Sequence, residues 1–124
     1  MKLHVIAAIF GMLIGVVTPA LMQSSKASSK DQQLIAELAK KWEAAYNRKD
    51  AAGVAALDTE NTVEVSPKGI FLGRVAIPKR VDAALKAGGH DLSFGIKDVQ
   101  SSGNVITSAR AYDATYGSQP VNGY

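Results

Sequence analysis

Between Leu34 and Tyr46 the apolar positions recur at steps of three and four: Leu34, Leu38, Trp42, Ala45 and Tyr46. At 3.6 residues per turn that spacing puts them on one face of a helix. Ser29 and Gln32 have capping-box spacing and mark its start. The run "NRKD", Asn47 to Asp50, marks its end, with basic groups where the helix dipole favours them. Glu37, Lys40, Lys41 and Glu43 fall mostly off the apolar face, and Glu37 and Lys41 form an i,i+4 pair. Asp50 is a good N-cap for a second, short helix, "AAGVAALDT", with Val54 and Leu57 turned inward.

The period then changes to two. In "TVEVS", Val63 and Val65 alternate with Thr62, Glu64 and Ser66, as in a strand. Pro67-Lys68-Gly69 is a turn, "IFL" a brief strand and Gly73 a break. Pro78 lacks a backbone donor and biases Ile77 away from helical geometry, so the third helix is predicted over Pro78 to Ala87, stopped by Gly88-Gly89. "DLSFGIKDV" places Leu92, Phe94 and Ile96 on one strand face. "SSGN" is a hairpin turn, "VITSARAYDATY" the second long strand, and "GSQPVNG" reads as another turn. Helices followed by paired strands in this order make an α+β domain.

Composition changes that picture only at the N-terminus. Lys2, an apolar run from Val5 to Val17 and the small residues that follow have the form of a secretory signal, with cleavage after Ala20 or Ala27. The domain is then 28–124. The other reading is an uncleaved anchor, but the run is short of the ~20 residues a span needs, and Pro19 closes it. The formal charge is +3, and cleavage after Ala27 removes Lys2 and Lys26, so the mature chain is then close to neutral. It has no basic stripe for a phosphate backbone, and no nucleic acid is expected as a partner. Cysteine is absent, so an exported chain of this kind rests on its core alone. One histidine beyond the leader, His90, and no cysteine make a metal site improbable. No phosphate-binding glycine motif is present and no cofactor is expected.

Three stretches, "WEAAYNRKDAAGVAAL", "TVEVSPKGIFLGRVAI" and "DVQSSGNVITSARAY", carry an N-x-x-D helix end, a P-x-G turn, a G-R-x-x-I helix entry and a G-N-V hairpin. In that order they resemble the nuclear transport factor 2-like superfamily, and within it the SnoaL-like and ketosteroid-isomerase-like group. The resemblance implies a cone-shaped, curved antiparallel sheet packed against three helices that close a pocket. It also implies two further strands past Tyr124 and pairing of subunits through the sheet. Ketosteroid isomerases keep a general-base aspartate just before the turn proline, a tyrosine on the first helix and a second acid on a late strand. Here those positions fall on Ser66, on Trp42 and beyond Tyr124, so steroid isomerisation is not expected.

Glu64 remains as a candidate general base if its strand face turns into the pocket. Simple patterning puts Val63 and Val65 in the core and Glu64 in water. Trp42, Tyr46, Ser66, Phe71 and Tyr112 are the candidate ligand-binding residues: aromatic walls with polar tips suit a small hydrophobic molecule. Ser66 lacks a histidine and carboxylate to make it a nucleophile and reads as a turn residue. Arg110, Tyr112 and Tyr116 share one strand face, which lines the pocket mouth or, in the favoured reading, meets a second subunit. The expectation is a secreted or periplasmic, non-catalytic ligand-binding or dimerisation module. The alternatives are a small-molecule isomerase, cyclase or dehydratase working through Glu64, and a truncated relic.

Overall fold

The computed structural model describes residues 4–5 and 25–124. The apolar run of the predicted signal lies, beyond Val5, outside the described residues. Helix α1 spans Ser29–Asn47. Its cap is Ser28, one residue before the predicted serine; the Ser28 hydroxyl accepts from the Asp31 N–H at 3.2 Å. Gln32 does reach back, but to the Ala27 carbonyl, at 2.9 Å. The buried stripe is Ile35, Ala39, Glu43, Ala45 and Tyr46, with Leu34, Leu38 and Trp42 along its margin. Glu43, expected in water, is therefore inside, and its Lys40 partner replaces the predicted Glu37–Lys41 pair.

Helix α2, Ala51–Leu57, begins where expected, with the Asp50 carboxylate accepting from the Gly53 N–H at 2.8 Å. A two-stranded hairpin follows: β3, Val63–Ser66, against β4, Gly69–Leu72, with Val63 opposite Leu72 and Ser66 opposite Gly69. Helix α3 runs Gly73–Lys86 and so begins five residues before the predicted start, with Pro78 inside it. Proline in the second turn removes one helical donor and leaves the Arg74 carbonyl without it. Packing of Ile77 and Val81 against α2 outweighs that loss, since both are fully buried.

The main sheet is built on a long hairpin, β5 (Gly89–Ser102) against β6 (Val105–Tyr116). Short strands flank it: β1 (His4–Val5) lies parallel to the start of β6, and β2 (Ser25–Lys26) lies antiparallel to the end of β5. The tail predicted as a turn is instead a strand. β7, Gln119–Gly123, follows a tight Gly117-Ser118 turn and pairs with β6, Asp113 opposite Asn122. Pro120 is tolerated because β7 is an edge. Of the two predicted cleavage points, only that after Ala20 keeps β2 and Ala27. Ala27 is buried, and its N–H donates to the Val99 carbonyl at 3.0 Å.

Two buried clusters hold the layers together. The larger joins all three helices to the sheet through Ala45, Tyr46, Val54, Ile77, Val81, Ala84, Leu92 and Ala114. The smaller lies under the start of α1 and gathers Ala27, Ile35, Val99 and Ile106. A register shift between Ile96 and Asp98 lets β5 serve both. Leu92, Phe94 and Ile96 alternate inward as predicted, and the extra residue then brings Val99 rather than Asp98 inside.

Gly73 joins the hairpin to α3. Its φ is +66°, its N–H donates to the Thr62 carbonyl at 2.7 Å, and a Cβ there would sit 2.6 Å from the Glu60 carbonyl oxygen. Gly73→Ala is expected to lower stability by about 1–2 kcal/mol, the cost of left-handed backbone in an L-residue, read as a lower urea midpoint at unchanged slope.

Candidate functional site

Helix α1 is fixed over β5 by two polar side chains. Along Leu92–Phe94 that edge of β5 has no neighbouring strand among the described residues, so its backbone groups need other partners. The Asn47 amide accepts from the Leu92 N–H at 2.8 Å and donates to the Leu92 carbonyl at 3.0 Å. One Glu43 oxygen accepts from the Phe94 N–H at 2.7 Å, and the other meets Lys40 at 3.0 Å. This is why a glutamate is buried on α1: it stands in for a strand, and its charge is answered at the surface.

The helix so placed roofs a cavity of about 420 Å³, bounded by α1, α3, β3 and the inner faces of β5 and β6. Its wall is largely apolar, from Leu38, Trp42, Leu57, Ile77, Phe94 and Tyr112. Trp42 stacks on Tyr46, ring centres 5.7 Å apart, and meets Phe94 edge-on at 5.4 Å. Such packing fixes the rings as rigid walls. Burial and the adjacent Tyr116 hydroxyl push the Tyr46 phenol above its ordinary range, so it stays a neutral donor.

Charged groups enter from the opposite side. Arg80 of α3 pairs with Glu64 of β3, both side chains 20% exposed, and lies over the Phe71 ring at 5.5 Å. Asp58, at the C-terminal end of α2, is 8% exposed, and its Oδ2 has no hydrogen-bond partner among the described residues. Its backbone carbonyl accepts from Arg74 Nε at 2.6 Å. Burial pushes the Asp58 carboxyl up to about 6, helped by the Glu64 charge and opposed by Arg110, Arg80 and Arg74. The Arg110 guanidinium of β6 lies over the Phe94 ring at 4.8 Å. Burial lowers its pKa, against the pull of Glu64 and Asp58. Arg80 Nε is also buried without a partner among the described residues.

Of the residues singled out in the sequence, Trp42, Tyr46, Glu64, Ser66 and Tyr112 all line this cavity. Phe71 does not; it supports Arg80 from behind. The valines flanking Glu64 are not core, and Val65 is 37% exposed. A two-stranded hairpin has no layer of its own to bury them, so the alternation that predicts inward valines misleads. The Ser66 hydroxyl accepts from the Lys68 N–H at 3.2 Å, which closes the turn. The face of Arg110, Tyr112 and Tyr116, read in the sequence as a subunit interface, points into the cavity. His90 sits at the end of the sheet, its ring nitrogens 2.9 Å from Asp91 and from the Gly117 carbonyl.

Asp58, Arg80 and Arg110 are the site residues that sequence reasoning missed as a group. Asp58 looks like a helix-end residue and Arg80 like one charge on a solvated helix face. Arg110 carried the one usable signal, its period-two alignment with Tyr112, Ala114 and Tyr116.

No protein-family model matches the chain, and no curated protein matches it. Solved structures do. A domain of unknown function with a cystatin-like fold from Nostoc punctiforme PCC 73102 superposes with a TM-score of 0.60 at 18% identity, over 78% of this chain and 62% of that one. A second protein of unknown function with a cystatin-like fold, from the same organism, gives 0.56 at 17% identity, over 74% of this chain and 71% of that one. The chain thus spans less than two thirds of the first structure's length. These neighbours overturn the resemblance to the nuclear transport factor 2-like, SnoaL-like and ketosteroid-isomerase-like proteins. The short motifs behind it are turn and cap signals that recur wherever helices and hairpins follow one another in this order. What the comparison establishes is architecture: an α+β domain with three helices and antiparallel sheets, in a cystatin-like fold.

Proposed function

We propose that this domain binds a small molecule with an apolar body and a polar end, as an exported and non-catalytic module. The observation that carries this reading is the cavity itself: aromatic walls on one side, and Asp58, Glu64, Arg80 and Arg110 converging from the other. Dimerisation through the sheet is the weaker half of the original expectation. The β5–β6 face turned away from the cavity presents Ser93 and Gly95 opposite Asp113 and Ala111, small or charged residues that give a partner little apolar surface. In this reading the sheet is curved into a cone around the ligand, which the two register shifts in β5 support. Secretion to the periplasm or outside the cell rests on the leader alone.

A catalytic reading has one observation in its favour, and it concerns Asp58 rather than Glu64. A general base must be free to meet a substrate proton, and Glu64 is held by Arg80, whereas Asp58 Oδ2 has no partner among the described residues and burial pushes that carboxyl up to about 6.

Trp42 is the only tryptophan and stands in the cavity wall, so its fluorescence reports occupancy directly. 1-Adamantanemethanol, which does not absorb where tryptophan does, is expected to shift Trp42 emission to the blue and to raise the melting temperature. Failure of both signals at millimolar probe would contradict the binding reading.

A further inference from the structure

Among the described residues, five charged side chains line the cavity: Lys68, Arg80 and Arg110 against Asp58 and Glu64. Arg80 is answered by Glu64, and Lys68 is exposed to solvent, its ammonium 5.6 Å from the Tyr116 ring. Arg110 is different. Among the described residues no carboxylate comes within ion-pair distance of it, and its guanidinium donates no hydrogen bond. It is desolvated, lies over the Phe94 ring at 4.8 Å, and faces the cavity. That contact leaves the guanidinium N–H groups available to a ligand in the cavity. A planar fork of donors matches a carboxylate in two parallel hydrogen bonds.

We propose that Arg110 anchors a carboxylate, so that the ligands of this cavity are small organic acids with an alicyclic or aromatic body. The inference rests on the cavity being a ligand pocket. The apolar body lies against Trp42, Phe94 and Tyr112, and the acid end meets Arg110. Asp58 then acts as a competitor in the same space. The groups that face it are Glu64 from β3, Arg74 and Arg80 from α3, and Arg110 from β6. Once Asp58 is protonated, its repulsion of an incoming carboxylate disappears and its O–H becomes a donor. Binding of an acid is therefore coupled to proton uptake at Asp58 and strengthens as pH falls from 8 toward 5.5.

The test compares 1-adamantanecarboxylate, 1-adamantanecarboxamide and 1-adamantanemethanol by Trp42 fluorescence and calorimetry on the mature protein. The carboxylate is expected to bind at least about tenfold more tightly than the amide at pH 5.5, with the preference shrinking at pH 8. Arg110→Gln is expected to abolish the preference for the acid over the amide, with a blue shift of Trp42 emission at saturating alcohol still reporting a formed pocket. Asp58→Asn is expected to tighten carboxylate binding at pH 8 and flatten its pH dependence. An amide that binds as well as the acid, or a preference that survives Arg110→Gln, overturns the assignment while the pocket reading stands. If none of the three probes binds, the pocket reading falls and this inference with it.

Discussion

Ile77→Ala is expected to cost about 2–5 kcal/mol of folding stability, the range for removing a buried isoleucine side chain down to its Cβ. Ile77 is 1% exposed and lies in the cluster that joins α2, α3 and the sheet, beside Val54 and Val81 at 0%. The void left is flanked by helix and sheet on opposite sides, and neither can collapse into it without moving the other. Domains of this size carry only about 5–15 kcal/mol in total, so one substitution removes a large fraction. At about 4–8 °C per kcal/mol, the melting temperature should fall by about 8 °C or more. Val75→Ala is the control. Val75 is on the same helix but 68% exposed, and its loss should stay within about 0.5 kcal/mol. Thermal and urea unfolding followed by circular dichroism measure both. Equal small effects would mean that α3 begins at Pro78, as the sequence suggested, and that Ile77 is not in the core.

The second large effect has the opposite sign. Asp58→Asn is expected to stabilise the protein at pH 8 and to leave it unchanged near pH 4. The folded state raises this carboxyl from an ordinary 3.8 to about 6, so folding favours the protonated form. The group's contribution is fully present below about pH 4 and is lost as pH rises through 6. A shift of this size corresponds to at most about 3 kcal/mol, reduced toward about 2 kcal/mol by what solvent still reaches the group. Asparagine is a near isostere of the protonated acid and has no charge to desolvate. Denaturant melts of both proteins across pH 4–8 should therefore converge at the acid end and separate at the alkaline end. A variant less stable than the parent at pH 8 would show that the Asp58 carboxylate is held by favourable partners instead. A carboxylate kept in a cavity at a cost to the fold is what a working group looks like, because its removal should improve stability and erase the pH dependence of ligand binding.

Helices α1 and α2 were legible because their signals are local. Steps of three and four from Leu34 to Tyr46, and Asp50 beside Gly53, report on residues within one turn of each other. The β5–β6 hairpin was legible for the same reason, since Leu92, Phe94 and Ile96 alternate and Gly103-Asn104 closes the turn. The start of α3 was not. Pro78 is an honest local warning, overruled by the burial of Ile77 and Val81 against elements distant in sequence. β7 was hidden because "GSQPVNG" has turn composition, and only the open edge of β6 makes a strand of it.

The site divides along the same line. Trp42, Tyr46 and Tyr112 could be named in advance because aromatic side chains at helical or strand period mark an inward face whatever the fold. Glu43 could not, since its burial depends on a strandless edge of β5 that only the assembled sheet reveals. The sequence alone determined the amphipathic elements and the aromatic wall, which follow from spacing along the chain. Only the tertiary structure decided which charges are buried. Asp58, Arg80 and Arg110 come from three separate elements, and their electrostatics depend on distances through space that no spacing along the chain encodes.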